Sequence, residues 1–162
     1  MTYDEFTTTV KETVKKQQIP PRYNPREWKN KSFNCYAYAL QVCMNIELFD
    51  VWPGFIGSEK NDYRDTKSCI LKYFYKDCEQ LSLQVKSSDL DEVISDNEYK
   101  VAIYLKRGKD FHFARQDSDG NWSEKVGWIG GIRKLKQSEV LMNCDDFGYK
   151  FIGVYRLSKK EG

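Results

Sequence analysis

The chain has 162 residues, with 26 basic and 24 acidic side chains and a formal charge of +2. That length suits one domain with a sizeable core, and so small a net charge gives no electrostatic case for nucleic acid as the main partner. A hydrophobic share of 40% and an aromatic share of 15% argue against disorder.

Residues 3 to 17 place Tyr3, Phe6, Val10 and Val14 on one apolar stripe, flanked by Asp4, Glu5, Lys11 and Lys15. This spacing predicts a helix, stopped by Pro20-Pro21. Arg22 to Phe33 reads as an ordered loop pinned by Tyr23, Pro25 and Trp28. A helix is then expected from Cys35 to about Met44, capped by Ser32 or Asn34, with Ala37, Ala39 and Leu40 as good helix formers. Val51 to Phe55 reads as a Pro-Gly turn carrying aromatics, favoured as a packed turn over a cleft wall.

Asp62 to Cys78 returns to helical spacing, with Thr66, Ile70, Tyr73, Phe74 and Asp77 near one face. Leu81 to Val85 alternates as a strand does, and Ser88 with Asp91 resembles a capping box opening a short helix through Ile94. Strands are expected at Tyr99–Arg107, Phe111–Gln116, Trp122–Val126 and Tyr149–Leu157. Asp117-Ser118-Asp119-Gly120-Asn121 is the turn between the second and third. Helices first and antiparallel strands later make an α+β layout over the single domain 1–162.

Chemistry centres on Asn34-Cys35-Tyr36-Ala37-Tyr38-Ala39-Leu40. A thiol at the front of a helix meets unsatisfied N–H groups and the positive dipole end, which favour the reactive anion. The five cysteines (Cys35, Cys43, Cys69, Cys78, Cys144) are odd in number and form no CxxC pair. Neither a disulfide framework nor a zinc ribbon is indicated, and no metal or other cofactor is expected.

A cysteine nucleophile needs a base, and His112 is the one histidine available. If Asp117 and Asn121 flank the turn, His112 lies opposite Val126 and Ala114 opposite Glu124. Glu124 then shares the face of His112, one diagonal away, within reach of a long carboxylate. Asp117, an odd number of residues along the strand, faces the other way but stays open as third member, because a bulge at Gly120 would shift the register. Donors for an oxyanion are the Cys35 N–H with the Asn34 or Asn30 side chain, and Trp52 is a candidate substrate contact. Arg115, Gln116, Asp117 and Trp122 read as a structural network tying the hairpin to the body.

Cysteine on an early helix, histidine on a later strand and a polar partner on the next strand resemble the papain-like cysteine peptidase superfamily. More closely, Asn34–Leu40, Pro53-Gly54 and Phe111–Ser123 resemble a poorly characterised group of microbial and viral cysteine proteases. The matching motifs cover about a quarter of the chain, and the His112 stretch is their specific part. The resemblance implies a papain-like fold, Cys35 as nucleophile and His112 as base. The tryptophan that follows the third residue in such enzymes has its nearest counterpart in Trp128.

The expectation is a cysteine peptidase or amidase acting on a peptide, protein or peptidoglycan-like amide. Glutamine deamidation, acyl transfer and a non-catalytic interaction domain are the alternatives. Met1 to Glu5 opens no leader pattern and no apolar run reaches membrane length, so the expected setting is soluble, cytoplasmic and without a membrane partner.

Overall fold

A computed structural model describes residues 1–44, 51–57, 62–126 and 131–160. The elements in order are α1 (Tyr3–Lys16), α2 (Pro25–Trp28), α3 (Cys35–Ala39), α4 (Lys67–Gln80), β1 (Leu83–Ser88), β2 (Glu98–Lys106), β3 (Asp110–Gln116), β4 (Trp122–Lys125), β5 (Ile132–Leu135), α5 (Gln137–Val140), a 3₁₀ turn (Asp145–Phe147) and β6 (Lys150–Lys159). All pairings in the six-stranded sheet are antiparallel, in the order β1-β6-β2-β3-β4-β5. This is the α+β layout expected from the order of patterns.

Thr2 caps α1 by accepting from the Glu5 N–H at 3.1 Å, and Phe6, Val10 and Val14 bury the expected stripe. Each such side chain stabilises the fold by about 1.5–3 kcal/mol on burial. Trp28 and Phe33 are buried, with Trp28 edge-on to Tyr38 at 4.9 Å between ring centroids, so the loop before Cys35 is packed down by aromatics as its composition suggested. Thr66 caps α4 by accepting from the Cys69 N–H, so that helix starts at Lys67 rather than Asp62.

Two expectations are corrected and a third holds. The Cys35 helix stops at Ala39, well short of Met44. Gln41 takes a left-handed φ of 63°, and the Val42 N–H turns back onto the Ala37 carbonyl at 2.8 Å. No helix forms at 88–94, because Asp89 Oδ1 accepts from the Asp91 and Glu92 N–H groups in a local turn. Val93 is 92% exposed there, so no apolar stripe rewards a helix. The Pro-Gly turn is a packed one: Phe55 is buried, and Asp77 accepts from the Gly54 N–H (2.7 Å) and the Ile56 N–H (3.4 Å). Gly54 needs its freedom there, with φ at 101°.

The sheet has a core on each face. Phe6, Tyr36, Phe74, Phe113 and Leu157 belong to the core with α1, α3 and α4, and Ala102, Tyr104, Ala114, Trp122 and Val140 to the other. Strands β3 and β4 pair only at Arg115–Ser123 and Gln116–Trp122. Their ladder ends before His112, and α3 packs against both strands.

Candidate active site

Cys35 is the first residue of α3 and is 6% exposed. Asn34 caps the helix, its Oδ1 accepting from the Ala37 N–H at 3.0 Å while Nδ2 donates to the Val51 carbonyl at 2.5 Å. The cap therefore fixes where the thiol stands. His112 alternates with Phe113 along β3, so it projects from the face opposite α3. The imidazole and the Cys35 thiol line one cleft, close enough for Cys35 to raise the proton affinity of the ring.

The register predicted for the hairpin holds, with Arg115 opposite Ser123 and Gln116 opposite Trp122. Gly120 turns the chain with φ at 84° and keeps this register, although the ladder stops short of the expected pairs Ala114–Glu124 and His112–Val126. Glu124 consequently reaches across its diagonal, with Oε1 2.6 Å from His112 Nε2. Asp117 is elsewhere: its Oδ1 accepts from Arg115 Nε at 2.9 Å and its Oδ2 from the Ser123 hydroxyl at 2.6 Å. Arg115 also donates to the Tyr38 and Arg22 carbonyls and lies 3.8 Å above the Tyr38 ring. Of the network expected of the hairpin, Arg115 and Asp117 bond each other and recruit Ser123, Gln116 donates to the Gly120 carbonyl in its own turn, and Trp122 is buried in the second core.

Glu124 is held on three sides. Asn143 Nδ2 donates to Oε1 at 2.6 Å, and Arg133 Nε donates to Oε2 at 2.5 Å. Burial raises the affinity of this carboxylate for a proton, but the donors outweigh it and hold Glu124 down at about 2. Burial likewise favours neutral His112. Interaction with Cys35 and then with Glu124 overcomes that and raises the imidazole to about 10. Tyr104 and Tyr149 wall the ring, with centroids at 5.7 and 6.5 Å. On β4, Lys125 is fully buried, and burial draws its ammonium down while the charge of Cys35 opposes this.

Asn34, Cys35, His112, Glu124 and Arg133 line an open cleft of about 570 Å³, together with Lys106, Phe147 and Tyr149. Two expected contacts are not part of it. Asn30 is exposed with φ at 63°, and Trp52 is half-buried beside the packed turn; neither lines the cleft. Trp128 lies outside the described residues. Arg133, Asn143 and Cys144 join the cleft or its supports without having been expected. Their stretch lacks periodicity, and the one signal was the short run Ile132–Leu135 after Gly131, which forms edge strand β5.

A buried carboxylate, an imidazole and a helix-front thiol in one cleft are residue types that can serve nucleophilic chemistry. The chain matches the family DUF7689, a domain of unknown function, over residues 26–149, and it belongs to that family. The match takes in Cys35, His112, Glu124 and Asn143. No curated protein and no solved structure matches the chain. Among the described residues, no helix is long and apolar enough to cross a membrane.

Proposed function

We propose that this domain is a cysteine hydrolase of papain-like arrangement that cleaves an amide bond. One observation carries the reading. His112 Nε2 stands 2.6 Å from Glu124, the Cys35 thiol acts on the same ring, and all three line one open cleft. Cys35 Sγ attacks the carbonyl carbon after the His112 ring has taken the thiol proton. The oxyanion is met by the Cys35 N–H at the helix start and by the second amide hydrogen of Asn34, whose first is held by Val51. As the C–N bond breaks, His112 returns the proton to the leaving amine. Water, deprotonated by the same ring, then cleaves the thioester to a carboxylate. Glu124 holds the ring and offsets its positive charge throughout.

The substrate is a peptide, protein or peptidoglycan-like amide, since the fold alone does not choose among them. The test is iodoacetamide labelling of each cysteine, followed by mass spectrometry at neutral pH. Cys35 is expected to label fastest, despite being buried, and to lose at least about tenfold in rate in His112→Ala. Labelling of Cys35 at the pace of Cys43 or Cys69, unchanged in His112→Ala, would leave an interaction domain as the better reading.

A further inference from the structure

Cys144 has no role in that chemistry, yet its side chain lines the same cleft. Its sulfur, a ring nitrogen of His112 and a carboxylate oxygen of Glu124 all lie within 4.8 Å of one another. Thiol, imidazole and carboxylate are the donors that zinc-class ions take from proteins, at bond lengths of about 2.0–2.3 Å. Three atoms this close need only small side-chain adjustments to share such an ion.

The scaffold also suits a ligand. Cys144 sits in a left-handed backbone conformation (φ 67°, ψ 7°), and its carbonyl accepts from the Phe147 N–H at 3.0 Å and the Tyr149 N–H at 3.3 Å. That turn fixes the base of the thiol side chain. Asn143 grips Glu124 from the neighbouring position, as outer-shell residues orient metal-binding carboxylates. Entry is available through the open cleft. The Arg133 side chain, 58% exposed, has room to leave Glu124 Oε2 and free its lone pairs.

We infer that His112, Glu124 and Cys144 bind a thiophilic divalent cation of the zinc class, with water as the fourth ligand, in competition with the His112–Glu124 hydrogen bond. The ion displaces the proton between Nε2 and Oε1 and the thiol proton of Cys144, and both pass to solvent. No electron transfer is involved. The bound ion fills the cleft beside Cys35 and so blocks access to it reversibly. The site goes beyond the hydrolase reading, because the three ligands remain whether or not Cys35 is a nucleophile.

The probe is Co²⁺, titrated into the full chain with a non-thiol reductant. Wild type is expected to develop a thiolate-to-cobalt charge-transfer band and tetrahedral ligand-field absorption that saturate near one equivalent. Cys35→Ala is expected to keep the band. Cys144→Ser is expected to lose it and to bind at least about tenfold more weakly. A second measurement needs no variant: Zn²⁺ is expected to protect Cys144 from iodoacetamide in wild type, with Cys69 labelling unchanged. No band in wild type, the same band in Cys144→Ser, or Cys144 labelling indifferent to Zn²⁺ overturns the site.

Discussion

Asn143 donates to Glu124 Oε1 at 2.6 Å, the same oxygen that stands 2.6 Å from His112 Nε2. One carboxylate oxygen is therefore shared between the imidazole and a buried amide. Its partner oxygen is taken by Arg133. The orientation of His112 is thus set two contacts away from the ring, by residues on the chain after β4.

The two supports of Glu124 differ in exposure, and so should their worth. Asn143 is 7% exposed, whereas the Arg133 side chain is 58% exposed. Asn143→Ala leaves a buried carboxylate short of a donor and is expected to cost about 1–3 kcal/mol. Arg133→Ala removes a largely solvated partner and is expected to cost under about 1 kcal/mol, less at high salt. Urea unfolding of both variants at low and high salt checks the order. Equal costs would show that exposure does not govern this contact.

Glu124→Ala tests the orienting role proposed for this carboxylate. The His112 ring would lose its fixed partner, so the rate of Cys35 alkylation is expected to fall roughly 10–100-fold, within the range ascribed to positioned acid–base groups. Glu124→Gln keeps an acceptor for Nε2 and is expected to fall less. A Cys35 rate unchanged in both variants, with the fold intact by circular dichroism, would remove Glu124 from the machinery.

The hairpin shows what made half of this site legible. Asp117 to Asn121 carries its turn chemistry locally, so the register of β3 against β4, and with it the meeting of Glu124 with His112, followed from alternation alone. The stripe of α1 was legible for the same reason: Phe6, Val10 and Val14 repeat on one helical face. The end of α3 was not. Gln41 occupies the left-handed position that glycine usually marks, and it is held by distant contacts: Nε2 donates to the Gln18 carbonyl at 2.9 Å, and its own carbonyl accepts from Gln17 at 3.0 Å. Arg133, Asn143 and Cys144 were hidden likewise, because a four-residue edge strand and a one-turn helix carry too few residues for a period.

Arg115 and Asp117 are both almost wholly buried, at 2% and 3% exposed. Removing one partner strands the other charge, so Arg115→Ala is expected to lose about 3–5 kcal/mol and a large part of the thermal stability. Arg115→Lys should rescue little, since one ammonium cannot reproduce the fork that reaches Asp117, Tyr38 and Arg22 together. Thermal melts of the two variants decide this. A lysine variant as stable as wild type would reduce the network to a single charge contact.

Asp77 offers a pH dependence whose sign is fixed by burial. Its carboxyl accepts from the Tyr36 hydroxyl at 2.5 Å and from the Gly54 and Ile56 N–H groups, which favour the anion. Burial outweighs them and pushes Asp77 up to about 7. The folded chain then holds this proton more tightly than the unfolded chain, whose aspartates titrate near about 3.9. Stability from this group is complete below about pH 4 and is lost as the pH rises through 7, by at most about 1.4 kcal/mol per unit. Asp77→Asn does not titrate, so the excess stability of wild type over this variant is expected to shrink between pH 4 and 7. Urea unfolding of both proteins across that range reads the difference directly. A gap that widens with pH would mean that the three donors, and not burial, govern the carboxyl. Tyr36 and the Val51–Gly57 turn would then be tied to α4 by an anion rather than by a shared proton.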